Sequence, residues 1–161
     1  MRVKLEKVNK RAIWLKKGKY TLEIEFCPQG WTYTNYLSIT KNGRTIGYWM
    51  DDDQLQLLLE KMEKEGMDKI WLAFRIGQSL SWTSQKQFVW KIIEDCWEGM
   101  LKSAYLSILR KRSTSYFDRD EVAEEVVKAV RECLRRKLIE RNKWTNKLLK
   151  LGEILAWKKL L

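Results

Sequence analysis

The sequence predicts an α+β protein, an antiparallel β-sheet with packed helices and a long C-terminal helical extension. Three observations predict it. Residues 11–50 alternate apolar and polar side chains around turn dipeptides. From Asp51 onward the apolar residues mostly recur every three to four positions, the spacing of one helix face. After residue 118 there is no Pro and a single Gly, so nothing there ends a helix.

Each element follows in order. Val3 and Leu5 are expected to add a short edge strand. Arg11–Lys16 and Lys19–Phe26 form a hairpin through Lys17-Gly18, and Cys27-Pro28-Gln29-Gly30 breaks the pattern. Asn35–Lys41 and Arg44–Met50 flank Asn42-Gly43, the dipeptide suited to a type I′ turn. Asp51-Asp52-Asp53 opens a helix, because carboxylates accept bonds from its free N–H groups. Leu55, Leu58, Leu59 and Met62 form its apolar stripe, and Gly66 stands at its end. Lys69–Arg75 reads as a further strand, closed by Gly77. Ser81–Ser84 supply caps for one long helix over about Ser84–Lys111, with an apolar stripe from Phe88 to Leu109. Asp118 and Glu121 resemble a capping box. The remainder, about Arg119–Leu161, reads as one long helix or two in line. Val127, Val130, Leu134, Leu138, Leu148, Leu151 and Leu155 fall near heptad spacing, interrupted at Arg141 and Trp144. The expected organisation is an α+β binding domain over 1–115 and a helical oligomerisation region over 116–161, giving a homodimer or higher homo-oligomer.

Composition excludes several function classes. The chain has 161 residues, with 32 Lys and Arg against 21 Asp and Glu, a net charge of +11. The excess sits at the two ends: net +7 over 1–50, −1 over 51–118 and +5 over 119–161. The absence of His removes histidine triads and most zinc sites. Cys27, Cys96 and Cys133 are far apart and odd in number, so no disulfide framework or CxxC site is expected. Cys96 and Cys133 read as core, and a reducing, cytoplasmic setting is expected. No apolar run reaches a membrane span, no secretory leader opens the chain, and no phosphate-binding glycine loop occurs. Asp51–Asp53 suit a divalent metal in principle, but a helix cap already explains them, and no metal or other cofactor is expected. The charged fraction of 33% is of a thermophilic kind.

Strand parity points to a surface. In the second hairpin Leu37, Ile39, Ile46, Tyr48 and Met50 share the core face, while Tyr36 and Trp49 sit opposite each other on the other face. In the first hairpin Trp14, Lys16, Lys19, Thr21, Glu23 and Glu25 point away from the core. In the 69–75 strand Trp71 and Arg75 do the same. Trp31 and Tyr33, between the hairpins, extend the row, and Lys41 and Arg44 flank the tight turn. Aromatic platforms beside Lys and Arg match a single-strand-binding surface, where bases stack at about 1–3 kcal/mol each and cations neutralise phosphates. Two features oppose it. The long helix needs a partner, and if it covers this face the tryptophans become core; Glu23 and Glu25 repel a continuous anion.

The run Tyr36-Leu37-Ser38-Ile39-Thr40-Lys41-Asn42-Gly43-Arg44-Thr45-Ile46-Gly47-Tyr48-Trp49, the helix from Asp51 to Glu65 and the Leu148–Leu155 region resemble the ThermoDBP-type single-stranded-DNA-binding proteins of thermophilic archaea, which include the ThermoDBP-related proteins. The resemblance implies a basic, aromatic cleft in the N-terminal domain, assembly through C-terminal helices, and binding roles for Trp14, Tyr36, Trp49, Trp71, Arg44 and Arg75. The expected function is non-catalytic binding of single-stranded DNA, or RNA, with little sequence specificity. The alternative is a protein–protein adaptor or inhibitor with exposed Trp hot spots. A metal-dependent nuclease centred on Asp51–Asp53 is a third reading.

Overall fold

The computed structural model describes residues 12–26, 35–80, 82–110 and 119–160. Val3, Leu5, Cys27, Trp31, Tyr33, Ser81 and Asp118 lie outside the described residues. The fold is α+β, with four strands and six helices among those residues. The chain divides into two compact units, Met1–Trp71 and Leu72–Leu161.

The first unit is built on an antiparallel meander in the order β1 (Ala12–Lys17), β2 (Tyr20–Phe26), β3 (Asn35–Lys41) and β4 (Arg44–Met50). Asn42 and Gly43 both take positive φ, 51° and 76°, the backbone of a type I′ turn. Lys41 therefore faces Arg44 and Tyr36 faces Trp49, the expected register. The first hairpin turns one residue later than expected. Gly18, at φ 59°, takes the first turn position, so Lys17 pairs with Tyr20 and Lys19 lies in the turn. The pairing moves by two residues, which leaves the strand side chains on their expected faces and takes only Lys19 off the strand into the turn.

Leu22, Ile24, Leu37, Ile39, Tyr48 and Met50 fill the core face. Against them lie Leu55, Leu58 and Met62 of α1 (Asp52–Glu65). Asp51 caps α1: its carboxylate accepts from Gln54 N at 2.7 Å, and the Gln54 side chain accepts from Asp51 N. Asp52 accepts from the buried Asn35 amide at 2.8 Å. Of the three carboxylates expected to open the helix, Asp51 thus serves as its cap and Asp52 as a hydrogen-bond acceptor. Gly66, at φ 93°, ends α1 and donates to Met62 O.

The expected strand at 69–75 is a helix, α2 (Met67–Gly77). Ile70, Leu72 and Phe74 alternate, but Met67, Trp71, Ala73 and Ile76 are buried as well. A segment apolar all round is as compatible with a buried helix as with a strand, and alternation within it decides nothing.

The second unit holds the end of α2 with α3 (Trp82–Ile93), α4 (Trp97–Arg110), α5 (Arg119–Arg135) and α6 (Lys143–Leu160). The one long helix expected over 84–111 is broken in two. The 119–161 stretch, expected as one helix or two in line, is two helices that are not in line, and the same device ends α3 and α5. Asp95 and Lys137 adopt the left-handed conformation at φ 62° and 58°. After α3, Cys96 N donates to Lys91 O and Asp95 N to Ile92 O. After α5, Leu138 N donates to Cys133 O and Lys137 N to Leu134 O. These are Schellman caps made without glycine. Asn142 then restarts the chain as α6: its side chain accepts from Trp144 N and Thr145 N, and the Thr145 hydroxyl accepts from Asn142 N at 2.8 Å.

The second break folds α6 back antiparallel on α5. Gly152 lies against Val127, and Lys159 pairs with Glu124. The heptad residues are consumed by this hairpin. Val127, Val130, Leu148 and Leu155 are buried and Leu134, Leu138 and Leu151 half-buried within the chain, so they do not form an exposed oligomerisation seam. Cys133 is buried as expected, but Cys96 is exposed because the break after α3 removes it from any helix stripe.

Candidate nucleic-acid interface

The outer face of the sheet is an ordered array. One row reads Ala12, Glu25, Tyr36, Trp49; the next Trp14, Glu23, Ser38, Gly47; the next Lys16, Thr21, Thr40, Thr45. Trp14 on β1 is 65% exposed. Tyr36 and Trp49 are half-buried and form a tilted pair, ring centroids 4.9 Å apart at 49°. Tyr36 leans across the sheet onto Gly47. A Cβ at residue 47 would lie 2.5 Å from the Tyr36 Cζ, so glycine is what lets the ring lie down there. Trp14 and Tyr36 are two strands apart, about 10 Å, which makes two separate platforms.

Between the platforms, on β2, stand Glu23 and Glu25. Partial desolvation, then a hydrogen bond and charge repulsion from Glu25, hold the Glu23 carboxyl above the ordinary glutamate value. Burial, then the Glu25 charge, push the Tyr36 phenol up, so it stays a neutral hydroxyl. The middle of the face is thus acidic and hydrogen-bonding, and the Thr40 and Thr45 hydroxyls are linked at 2.8 Å beside it.

The cations lie at one end. Both tight turns are on the same edge, so Lys16, Lys17, Lys19, Lys41 and Arg44 gather there. Lys41 Nζ sits 5.2 Å from the centroid of the Tyr20 ring. Lys17 was not among the expected site residues; the Lys17–Tyr20 pairing brings it to this edge, and only the true turn position reveals it.

Two expected site residues leave the face. Trp71 is 4% exposed and belongs to α2, its ring 5.9 Å from that of Tyr20 on the core side. Arg75 is held in an ion pair, its Nη2 2.7 Å from Glu125 Oε2 and its Nη1 4.0 Å from Glu132. The segment that was to carry both as a strand is a helix, with Trp71 in the core and Arg75 in ion pairs. Trp31 and Tyr33 lie outside the described residues. The structure therefore brings together Trp14, Lys16, Tyr36 and Trp49 on the face and Lys19, Lys41 and Arg44 at its basic edge.

The second unit holds an aromatic–cation cluster that heptad reasoning passed over. Trp144 and Tyr105 have centroids 6.0 Å apart, and Lys102, Lys143 and Lys147 lie within 4.8–5.7 Å of the Trp144 centroid. Trp144 was read as an interruption of a stripe; its neighbour Asn142, three residues before Thr145, was the available signal that a helix starts there.

No protein-family model, curated protein or solved structure matches the chain. What the face does is read from its own side chains.

Proposed function

We propose that the outer sheet face binds single-stranded nucleic acid without catalysing a reaction. Bases stack on Trp14 and on the Tyr36–Trp49 pair, and phosphates run along the basic turn edge. The observation that carries this reading is the exposed Trp14 and the Tyr36–Trp49 pair on the outer sheet face, with five cations at its end. A four-stranded sheet with aromatics on its face is a known way of stacking two or three bases. Glu23 and Glu25 turn phosphates away from the centre and accept hydrogen bonds from base amino and imino groups. They therefore orient the strand bases-inward. Stacking tolerates every base, so discrimination between sequences is weak. Cys96 and Cys133 form no disulfide with each other, which fits the reducing cytoplasm expected from the sequence. Among the described residues no helix is long and apolar enough to cross a membrane.

The test is fluorescence anisotropy with a labelled oligonucleotide of about 15–20 nucleotides. Binding that weakens steeply with salt and resists duplex competitor is the expected result. Equal competition by duplex overturns the reading, since a stacking platform needs unpaired bases.

Homo-oligomerisation moves to a different surface. Ile154, Trp157 and Leu160 are exposed at the end of α6 and share one side by spacing. Sedimentation of Trp157→Glu tests this: a wild-type oligomer should dissociate, and an unchanged sedimentation coefficient rejects that surface.

A further inference from the structure

We infer a second anion site, separate from the sheet face, in the open groove of the α5–α6 hairpin, built for a ligand carrying two or more phosphate groups. The groove has a volume of about 840 Å³, of the size that holds a nucleotide-scale ligand. Four cations line it: Arg131 and Arg135 from the last turns of α5, Arg141 from the connection and Lys150 from α6. One carboxylate, Glu153, joins them, which leaves three net positive charges.

Three features separate this groove from an ordinary basic surface. First, none of the four cations is ion-paired among the described residues. Elsewhere in the same hairpin cations are matched, as in Arg136–Glu132 and Lys159–Glu124. Four unpaired cations around one concavity repel one another, and an anion relieves that repulsion. Second, the cations come from three segments, Arg131 and Arg135 from α5, Arg141 from the connection and Lys150 from α6, and all line one groove. Forked donors suit phosphate oxygens. Third, the backbone geometry that makes the concavity is specific. The left-handed Lys137 turns the chain, and Gly152 leaves room for the Arg131 guanidinium, which lies 3.2 Å from where a Cβ would stand. Leu149 and Ile139 give the groove an apolar floor, which water-separated surface charge does not need.

The source of the phosphates is either a soluble polyphosphate or the backbone of a strand, and two probes separate them. Isothermal titration calorimetry is run at about 50 mM salt, low enough that phosphate contacts are not screened out. Pyrophosphate is the first probe and an abasic oligodeoxynucleotide the second. The abasic strand has no bases to stack on Trp14, Tyr36 or Trp49, so a failure here is distinct from a failure of the sheet-face reading. At least one probe should bind. Arg135→Gln/Arg141→Gln should lose it by about a hundredfold, tenfold for each charge-assisted contact removed. Glu153→Gln should tighten it. Lys64→Gln/Lys158→Gln, which removes the same charge outside the groove, should change it less than threefold. Circular dichroism of the exposed-residue variants should match the wild type. Binding of pyrophosphate alone identifies a soluble ligand. Binding of the abasic strand alone identifies a strand backbone when the arginine variant loses it; abasic binding that the variant keeps belongs to the basic turn edge and overturns the groove. Binding of neither probe overturns the site. So does an equal loss in the control variant, which would reduce the groove to diffuse charge.

Discussion

Gly152→Ala is the sharpest structural perturbation, because it sets two known terms against each other. In an isolated helix the change stabilises by about 1 kcal/mol. In the α5–α6 hairpin the added Cβ would stand 2.5 Å from Val127 Cγ1 and 3.4 Å from Val127 Cβ. Carbon atoms rest about 3.5–4.0 Å apart, so the helices must separate by about 1 Å or Val127 must leave its rotamer. Overpacking of this kind costs about 1–3 kcal/mol. The net expectation is a loss of about 0–2 kcal/mol, small enough to be ambiguous alone. Val127→Ala resolves it. That variant removes the clashing methyl groups and by itself loses about 2 kcal/mol, from about 0.8 kcal/mol per buried carbon plus the cavity left. In its background the added Cβ keeps ordinary contact with the residue-127 Cβ at 3.4 Å and displaces only the end of the flexible Arg131 side chain at 3.2 Å, so Gly152→Ala should stabilise by about 1 kcal/mol. The coupling between the two sites is therefore about 2 kcal/mol, within the range for residues in contact. Urea denaturation of the four proteins, at equal slope, measures it. Independent, additive effects would refute the packed hairpin and return Val127 to the seam between chains that its heptad position suggests.

Trp71→Ala should cost about 3–5 kcal/mol of stability, as for a large core aromatic, and leave oligonucleotide affinity unchanged once folded protein is counted; a loss of affinity without loss of stability would put Trp71 back on the binding face. Asn142→Ala should lower stability by about 1 kcal/mol through the α6 cap, read by thermal unfolding, and Asn142→Asp should restore most of it. Glu23 binds its proton more tightly folded than unfolded, so its contribution to stability is fully present below the unfolded value and is lost as pH rises through the raised folded value. Glu23→Gln should flatten the stability profile across that acid range, and oligonucleotide affinity of the wild type should rise as pH falls through it.

Local rules reach the sheet and stop at the helix breaks. Asn42-Gly43 permits one turn and one register, and the core and outer faces of β3 and β4 follow from it. Gly18 permits either of two turn positions. Both preserve the faces, so the two-residue shift did not move Trp14 from the surface. The helices failed where left-handed residues are not glycine. Asp95 and Lys137 carry no such signal, and two long amphipathic stretches became four helices. Heptad spacing in 119–161 could not distinguish a seam between chains from a hairpin within one, since both bury the same residues. Trp71 and Arg75 failed for a related reason: seven of eleven α2 residues are fully apolar, and a short apolar run has no readable period. The basic groove was invisible because its four cations converge only after the α5–α6 turn.

The central claim concerns Trp14 and Trp49, and tryptophan fluorescence reads them directly. A titration with a single-stranded oligonucleotide is compared between the wild-type chain and Trp14→Phe/Trp49→Phe. The difference between the two quenching curves isolates those two indoles from the other seven. The account predicts strong quenching in the wild type, largely absent in the variant, with an affinity about tenfold weaker or more if Phe stacks less well than Trp. Identical quenching in both proteins would contradict it, because the bases would then be stacking elsewhere.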